Sequence, residues 1–218
     1  YPDAAERIDV LENGYDEEAF RGVGHDSSIR APLNGNCLTL LHSGIVYPNE
    51  RDPTALFAAL GHLVASNALT GKPLCLCFRA AVHEDLLRRL AAQHRVSEFV
   101  ELLPALPYEQ ALAEMLCADG LLVLQAANCN DQIPAKIYEY LRAKRPIVAL
   151  TEPRGDTGRL LATAGVEAIA PLHDVDAIAD LLKGFLADPS HGTLPRPEMV
   201  AGASRRDRTR QLAHFLDS

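Results

Sequence analysis

The chain has 218 residues, 48% of them hydrophobic and 23% charged, enough apolar material to bury a substantial core and ordinary for a globular protein. A net charge of −8 and a pI near 5.5 argue against a protein that coats nucleic acid or an anionic membrane. No apolar run reaches the length of a membrane span, and no signal peptide is recognisable; the expected location is cytoplasmic.

In chain order, "RIDVLENGYDEEAF" reads as a strand ending in an Asn-Gly turn, and "RGVGHDSSIRAPLNGN" as a polar loop. The "GVGHDS" within it lacks a third glycine and follows no strand, so it is a poor dinucleotide fingerprint. From residue 36 onward, short apolar runs alternate with helical patterns. "CLTLLHSGIVY" precedes "PTALFAALGHLVASNAL", "PLCLCFRA" precedes "HEDLLRRLAAQH", and "EFVELLP" precedes "PYEQALAEMLCA". "DGLLVLQAA" precedes a helix over 134–144, "PIVALT" precedes "TGRLLATAG", and "VEAIAP" precedes "VDAIADLLKGFLAD". These are about six strands, each followed by a helix and each apolar on both sides, as in a parallel sheet covered on both faces. Right-handed crossovers then predict an α/β, Rossmann-like, doubly wound sheet. The expected division is a leading segment over 1–35, the Rossmann-like domain over 36–190, and a proline-broken linker with a closing helix over 191–218. The chain opens with Tyr1, which reads as a fragment of a longer protein.

Cys37, Cys75, Cys77, Cys117 and Cys129 are odd in number and show no CxxC or Cys/His zinc spacing. They are expected to be buried reduced thiols.

In open parallel sheets ligands bind beyond the carboxyl ends of the strands. After the first strand stand Gly44, which lets a backbone approach a ligand or simply makes a turn, and Arg51, a phosphate contact or a solvated partner of Glu50 and Asp52. Arg79 ends the second strand and needs a partner, either a ligand or a structural salt bridge. Pro134, Ala135 and Lys136 open the fifth helix, where free N–H groups and the helix dipole make a natural phosphate site; Lys136 by itself would be surface. His42 is either a packed strand-end side chain or a site residue. Ile133, Ile137, Tyr140 and Leu141 form the buried stripe of that helix, and Glu139 falls far from the stripe's centre. Periodicity alone makes Glu139 an exposed helix glutamate.

Four stretches alter that reading: "DVLENGYDEEAF", "LLHSGIVYPNERDP", "IPAKIYEYLRAKRPIVAL" and "RRDRTRQLAHFL". Together they resemble the C-terminal, nucleotide-sugar-binding half of retaining GT-B glycosyltransferases of the family 4 (group 1) type. The helix stretch is the most specific of them. Asp131 and Glu139, eight apart, stand at the family's E-x7-E positions. The resemblance implies that Glu139 accepts from the ribose hydroxyls and that Asp131 contacts the donor sugar, both as catalytic residues. It implies that Gly44, Arg51, Arg79, Pro134, Ala135 and Lys136 hold the diphosphate. The partner implied is a nucleotide-diphosphate sugar, with no metal and no cofactor. The acceptor, of unknown kind, would bind a second domain absent from this chain, which leaves room for peripheral membrane association there. A GT-B sugar-nucleotide epimerase and a non-catalytic sugar-nucleotide-binding module are the alternatives.

Overall fold

The computed structural model describes residues 8–23, 32–69, 73–191 and 193–217. Six parallel strands form one sheet in the order β3-β2-β1-β4-β5-β6. They are β1 (Leu38–Ser43), β2 (Leu74–Arg79), β3 (Val100–Leu103), β4 (Gly120–Leu124), β5 (Ile147–Leu150) and β6 (Ile169–Ala170). Between them run α2 (Thr54–Ala65), α3 (Glu84–Gln93), α4 (Tyr108–Cys117), α5 (Lys136–Ala143) and α6 (Asp156–Thr163). The leading segment contributes α1 (Glu17–Gly22), and α7 (Val175–Ala187), α8 (Pro197–Gly202) and α9 (Arg205–Asp217) close the chain. The expected doubly wound α/β class is the one observed.

Side-chain alternation along the strands sorts the core into two layers. Leu40, Leu76, Phe78, Leu122 and Val148 point to one face and meet Phe57 and Leu60 of α2, Leu87 of α3 and Leu182 of α7. Leu41, Cys77, Leu121, Val123 and Ala149 point to the other and meet Leu112 of α4, Tyr140 of α5 and Leu161 of α6. Every residue of β4 and β5 is buried, which is why those runs show no polar alternation. Strand order reverses between β1, which pairs with β2 from Leu38↔Leu74 to Ser43↔Arg79, and β4, which pairs with β1 at Leu40↔Gly120 and Leu41↔Leu121. A crevice therefore opens above the carboxyl ends of β1 and β4.

Two expectations need correction. The stretch "RIDVLENG" is not a strand over its described residues: Ile8 and Val10 are exposed, and the segment's one ladder contact is an isolated bridge from Tyr15 to Ser204. Instead the segment is strapped to the α8–α9 junction, so close at Gly14 that a Cβ there would lie 2.7 Å from the Ala203 carbonyl oxygen. The buried stripe of α5 also differs. Tyr138 is buried beside Ile137, Tyr140 and Leu141, whereas Ile133 is only partly covered. Tyr138 is covered because the leading segment crosses α5, and its hydroxyl donates to Glu12 at 3.4 Å. The "GVGHDS" stretch lies mostly outside the described residues.

Candidate functional site

The crevice is organised around the Ser43–Gly44 turn at the end of β1. Gly44 has φ +115° and open space where a Cβ would stand, a conformation that favours glycine. Its amide donates to the Arg79 carbonyl at 2.8 Å, so the turn is tied to the end of β2. α5 grips the same turn from the other side. The Ser43 amide donates to the Tyr140 hydroxyl at 3.0 Å, and Lys136 Nζ donates to the Ser43 carbonyl at 3.3 Å.

Lys136 also reaches His42 Nε2 at 3.2 Å. His42 is fully buried, and its Nδ1 lies 3.1 Å from the Leu122 carbonyl. A carbonyl only accepts, so Nδ1 carries the proton and Nε2 is the bare acceptor facing the lysine. Burial and the Lys136 charge together hold the His42 pKa well below the usual value, which keeps the ring neutral. Lys136 is itself pushed well below the normal lysine range, first by burial and then by Arg51, with Glu139 opposing. Two basic side chains, Arg51 and Lys136, therefore share one small region. That is the electrostatic signature of a place that favours an anion.

Arg51 spends one donor on the Ile45 carbonyl at 2.6 Å and lies 5.2 Å over the Tyr47 ring. It is anchored to the glycine loop, and the described residues show no ion pair between it and Glu50 or Asp52. At the start of α5, Ile137 and Tyr138 donate back to the carbonyls of Pro134 and Ala135. The amides of Ala135 and Lys136 have no such acceptor among the described residues and face the helix's positive end.

Glu139 lies off the buried stripe, and the Tyr108 hydroxyl at the start of α4 donates to its Oε1 at 2.8 Å. Burial and this carboxylate push the Tyr108 pKa up to about 12, so the phenol stays a donor throughout the neutral range. Asp131 is exposed in the loop after β4, with no hydrogen bond to the other candidates.

The structure thus brings together Gly44, Arg51, Lys136 and the Pro134–Ala135 turn, with Glu139 one helical turn beyond Lys136. It does not bring in the guanidinium of Arg79. Nε donates to Glu114 Oε2 at 2.8 Å, Nη2 donates to Glu114 Oε1, and Nη1 donates to the Pro104 carbonyl at 2.6 Å. Each of the three nitrogens is occupied within the protein. Of the two roles open to Arg79 in the sequence, the structure realises the salt bridge, because β2 delivers the side chain under α4, where Glu114 is buried.

Sequence reasoning missed Tyr108 and Tyr140. Tyr108 was findable as the first residue of the helix after a strand-end loop. Tyr140 lies in the buried stripe, where nothing distinguishes a core tyrosine from one whose hydroxyl holds a neighbouring loop. A depression of about 620 Å³ lies elsewhere, among Ile133, Asp156, Arg159 and Met199. The strand-end cluster is marked by its basic side chains and backbone donors.

No protein-family model matches the sequence, and no curated protein matches it. Solved structures do. Anabaena HepE in complex with UDP matches with a TM-score of 0.71 at 15% identity, over 98% of this chain and 58% of that one. An α,α-trehalose 6-phosphate synthase from Burkholderia multivorans matches at 0.68 and 15% identity, over 95% and 50%. Sucrose-phosphate synthase from Thermosynechococcus elongatus matches at 0.64 and 14%, over 96% and 52%. The chain spans little more than half the length of these structures. What is shared at this identity is the fold, that of the C-terminal half of GT-B glycosyltransferases.

Proposed function

We propose that this chain is the donor-binding half of a retaining, family 4-type glycosyltransferase, holding a nucleotide-diphosphate sugar above the carboxyl ends of β1 and β4. The observation that carries the reading is the convergence of Arg51 and Lys136 on the Gly44 turn, beside two amides of the α5 start. The similarity to HepE structures containing UDP and UDP-glucose supports the same ligand class.

In this reading the diphosphate lies over Gly44 and is held by Arg51, Lys136 and the amides of Ala135 and Lys136. Such fixed donors stabilise the departing nucleoside diphosphate as the anomeric carbon becomes cationic, and they need no reorganisation during the reaction. Glu139, oriented by Tyr108, accepts from the ribose hydroxyls; Asp131 faces the donor sugar. The acceptor binds a second domain. A sugar-nucleotide epimerase of the same fold remains the second reading, and it requires its own acid/base pair.

A thermal-shift panel of UDP-, GDP- and ADP-sugars tests the proposal. Binding to the folded state raises the apparent melting temperature by mass action. One nucleotide class is expected to stand out, and a flat response to all of them sinks the reading.

A further inference from the structure

On β2 and β3, outside the proposed nucleotide site, two thiols and a carboxylate converge on one another. Parallel register pairs Cys77 with Glu101, and Cys75 shares their sheet face because it is two residues from Cys77 on the same strand. The Cys75 and Cys77 sulfurs are 3.6 Å apart, and each lies 3.7 Å from Glu101 Oε2. We propose that Cys75, Cys77 and Glu101 form a site for one thiophilic divalent cation of the zinc type.

Three observations carry the assignment. First, the three separations are nearly equal. Tetrahedral zinc, with Zn–S about 2.3 Å and Zn–O about 2.0 Å, requires ligand atoms roughly 3.5–3.8 Å apart, so an ion fits with little movement of the side chains. Second, among the described residues no lysine or arginine pairs with Glu101. Arg79, whose charge reaches both Glu101 and Cys77, is already paired with Glu114, so Glu101 stays open to a divalent ion. Third, access is graded: Cys77 is buried, Cys75 is half-buried and Glu101 is exposed, so an ion can enter and solvent can fill a fourth position. Cys37, also buried, hydrogen-bonds to Cys75 and supports that ligand from behind. Binding converts both thiols to thiolates and releases their two protons to solvent. The ion would cross-link β2 to the edge strand β3.

The test uses the full chain, reduced and stripped of metal, titrated with Co²⁺. A thiolate-to-cobalt charge-transfer band is expected to saturate at one equivalent and to vanish when Zn²⁺ is added. Replacing both cysteines, Cys75→Ser with Cys77→Ser, should abolish the band, and Cys129→Ser should leave it unchanged. Glu101→Gln changes only an exposed edge-strand side chain and should weaken Co²⁺ binding roughly tenfold or more. That variant keeps the test decisive if the double replacement does not fold. Absence of a band at millimolar Co²⁺, its survival in the double variant, or unchanged affinity in Glu101→Gln overturns the site.

Discussion

The Tyr108 hydroxyl donates to Glu139 Oε1 across 2.8 Å, joining the first residue of α4 to the end of the first turn of α5. The contact fixes one carboxylate oxygen and leaves the other available, which is how a polar side chain is aimed at a ligand. It also gives two residues 31 apart in sequence a common test.

Glu139→Gln keeps the size of the side chain and turns one acceptor into a donor. It should weaken UDP or GDP binding about tenfold or more, since hydrogen bonds to charged groups are worth about 1.5–3 kcal/mol. Melting without ligand should hardly change, because the residue is off the core. Wild type should prefer ribose to 2′,3′-dideoxyribose nucleotides in calorimetry. If Glu139→Gln discriminates equally well, Glu139 does not read the ribose. Tyr108→Phe should show a smaller loss in the same direction.

Arg51→Ala and Lys136→Ala should each cost about 1.5–3 kcal/mol of nucleoside-diphosphate affinity. Lys136→Met should do so while leaving the unliganded protein as stable as wild type or more so, because it removes a charge that burial disfavours. Unchanged affinity in both alanine variants would remove the phosphate assignment. Binding should also survive EDTA and gain little from Mg²⁺ or Mn²⁺. A steep Mn²⁺ requirement would indicate a different way of holding the diphosphate.

Proton linkage offers an independent check on Lys136. Its pKa in the free protein is held down by burial and by Arg51, and an approaching diphosphate raises it. Between the free and bound values, binding therefore takes up a proton, and affinity falls as pH rises through that window. Calorimetry in buffers of different ionisation enthalpy measures the uptake directly. Lys136→Met should abolish it; if the uptake persists unchanged, another group is responsible.

Arg79 should behave in the opposite way. Breaking its buried pair, by Glu114→Ala or Arg79→Ala, leaves an uncompensated charge and should cost roughly 3 kcal/mol or more of stability. Nucleotide affinity should be almost unaffected. Chemical denaturation beside calorimetry separates the two effects, and a large affinity loss with intact stability would restore Arg79 to the site.

The sheet was legible in the sequence because β4 and β5 are continuous apolar runs and the other strands are mostly apolar, a pattern that fits a parallel sheet covered on both faces. Gly44, Arg51 and Lys136 were legible because strand-end loops are few and each carries one conspicuous residue. The contacts that give these residues their settings were not. Glu114 is 35 residues from Arg79, and Tyr108 is 31 from Glu139; both pairings depend on how α4 lies against the sheet and against α5. The cysteines show the same gap. Spacing rules search along one segment, whereas Cys77 and Glu101 meet only through the register of neighbouring strands. "RIDVLENG" failed in the other direction, its local pattern suggesting a strand where the structure shows an isolated bridge.

The Ser43 peptide group is held at both ends by α5, its N–H by Tyr140 and its carbonyl by Lys136. A ligand that recruits the Lys136 ammonium thus exchanges one set of acceptors, His42 Nε2 and the Ser43 carbonyl, for another. Its affinity is a difference between two occupied states. On the proposed reading, neutral or singly charged ligands would offer Lys136 little more than it already has, so the resting contacts would act as a threshold against them. The Tyr140 hydroxyl would keep its hold on the Ser43 amide in that exchange, so the end of β1 would stay tied to α5.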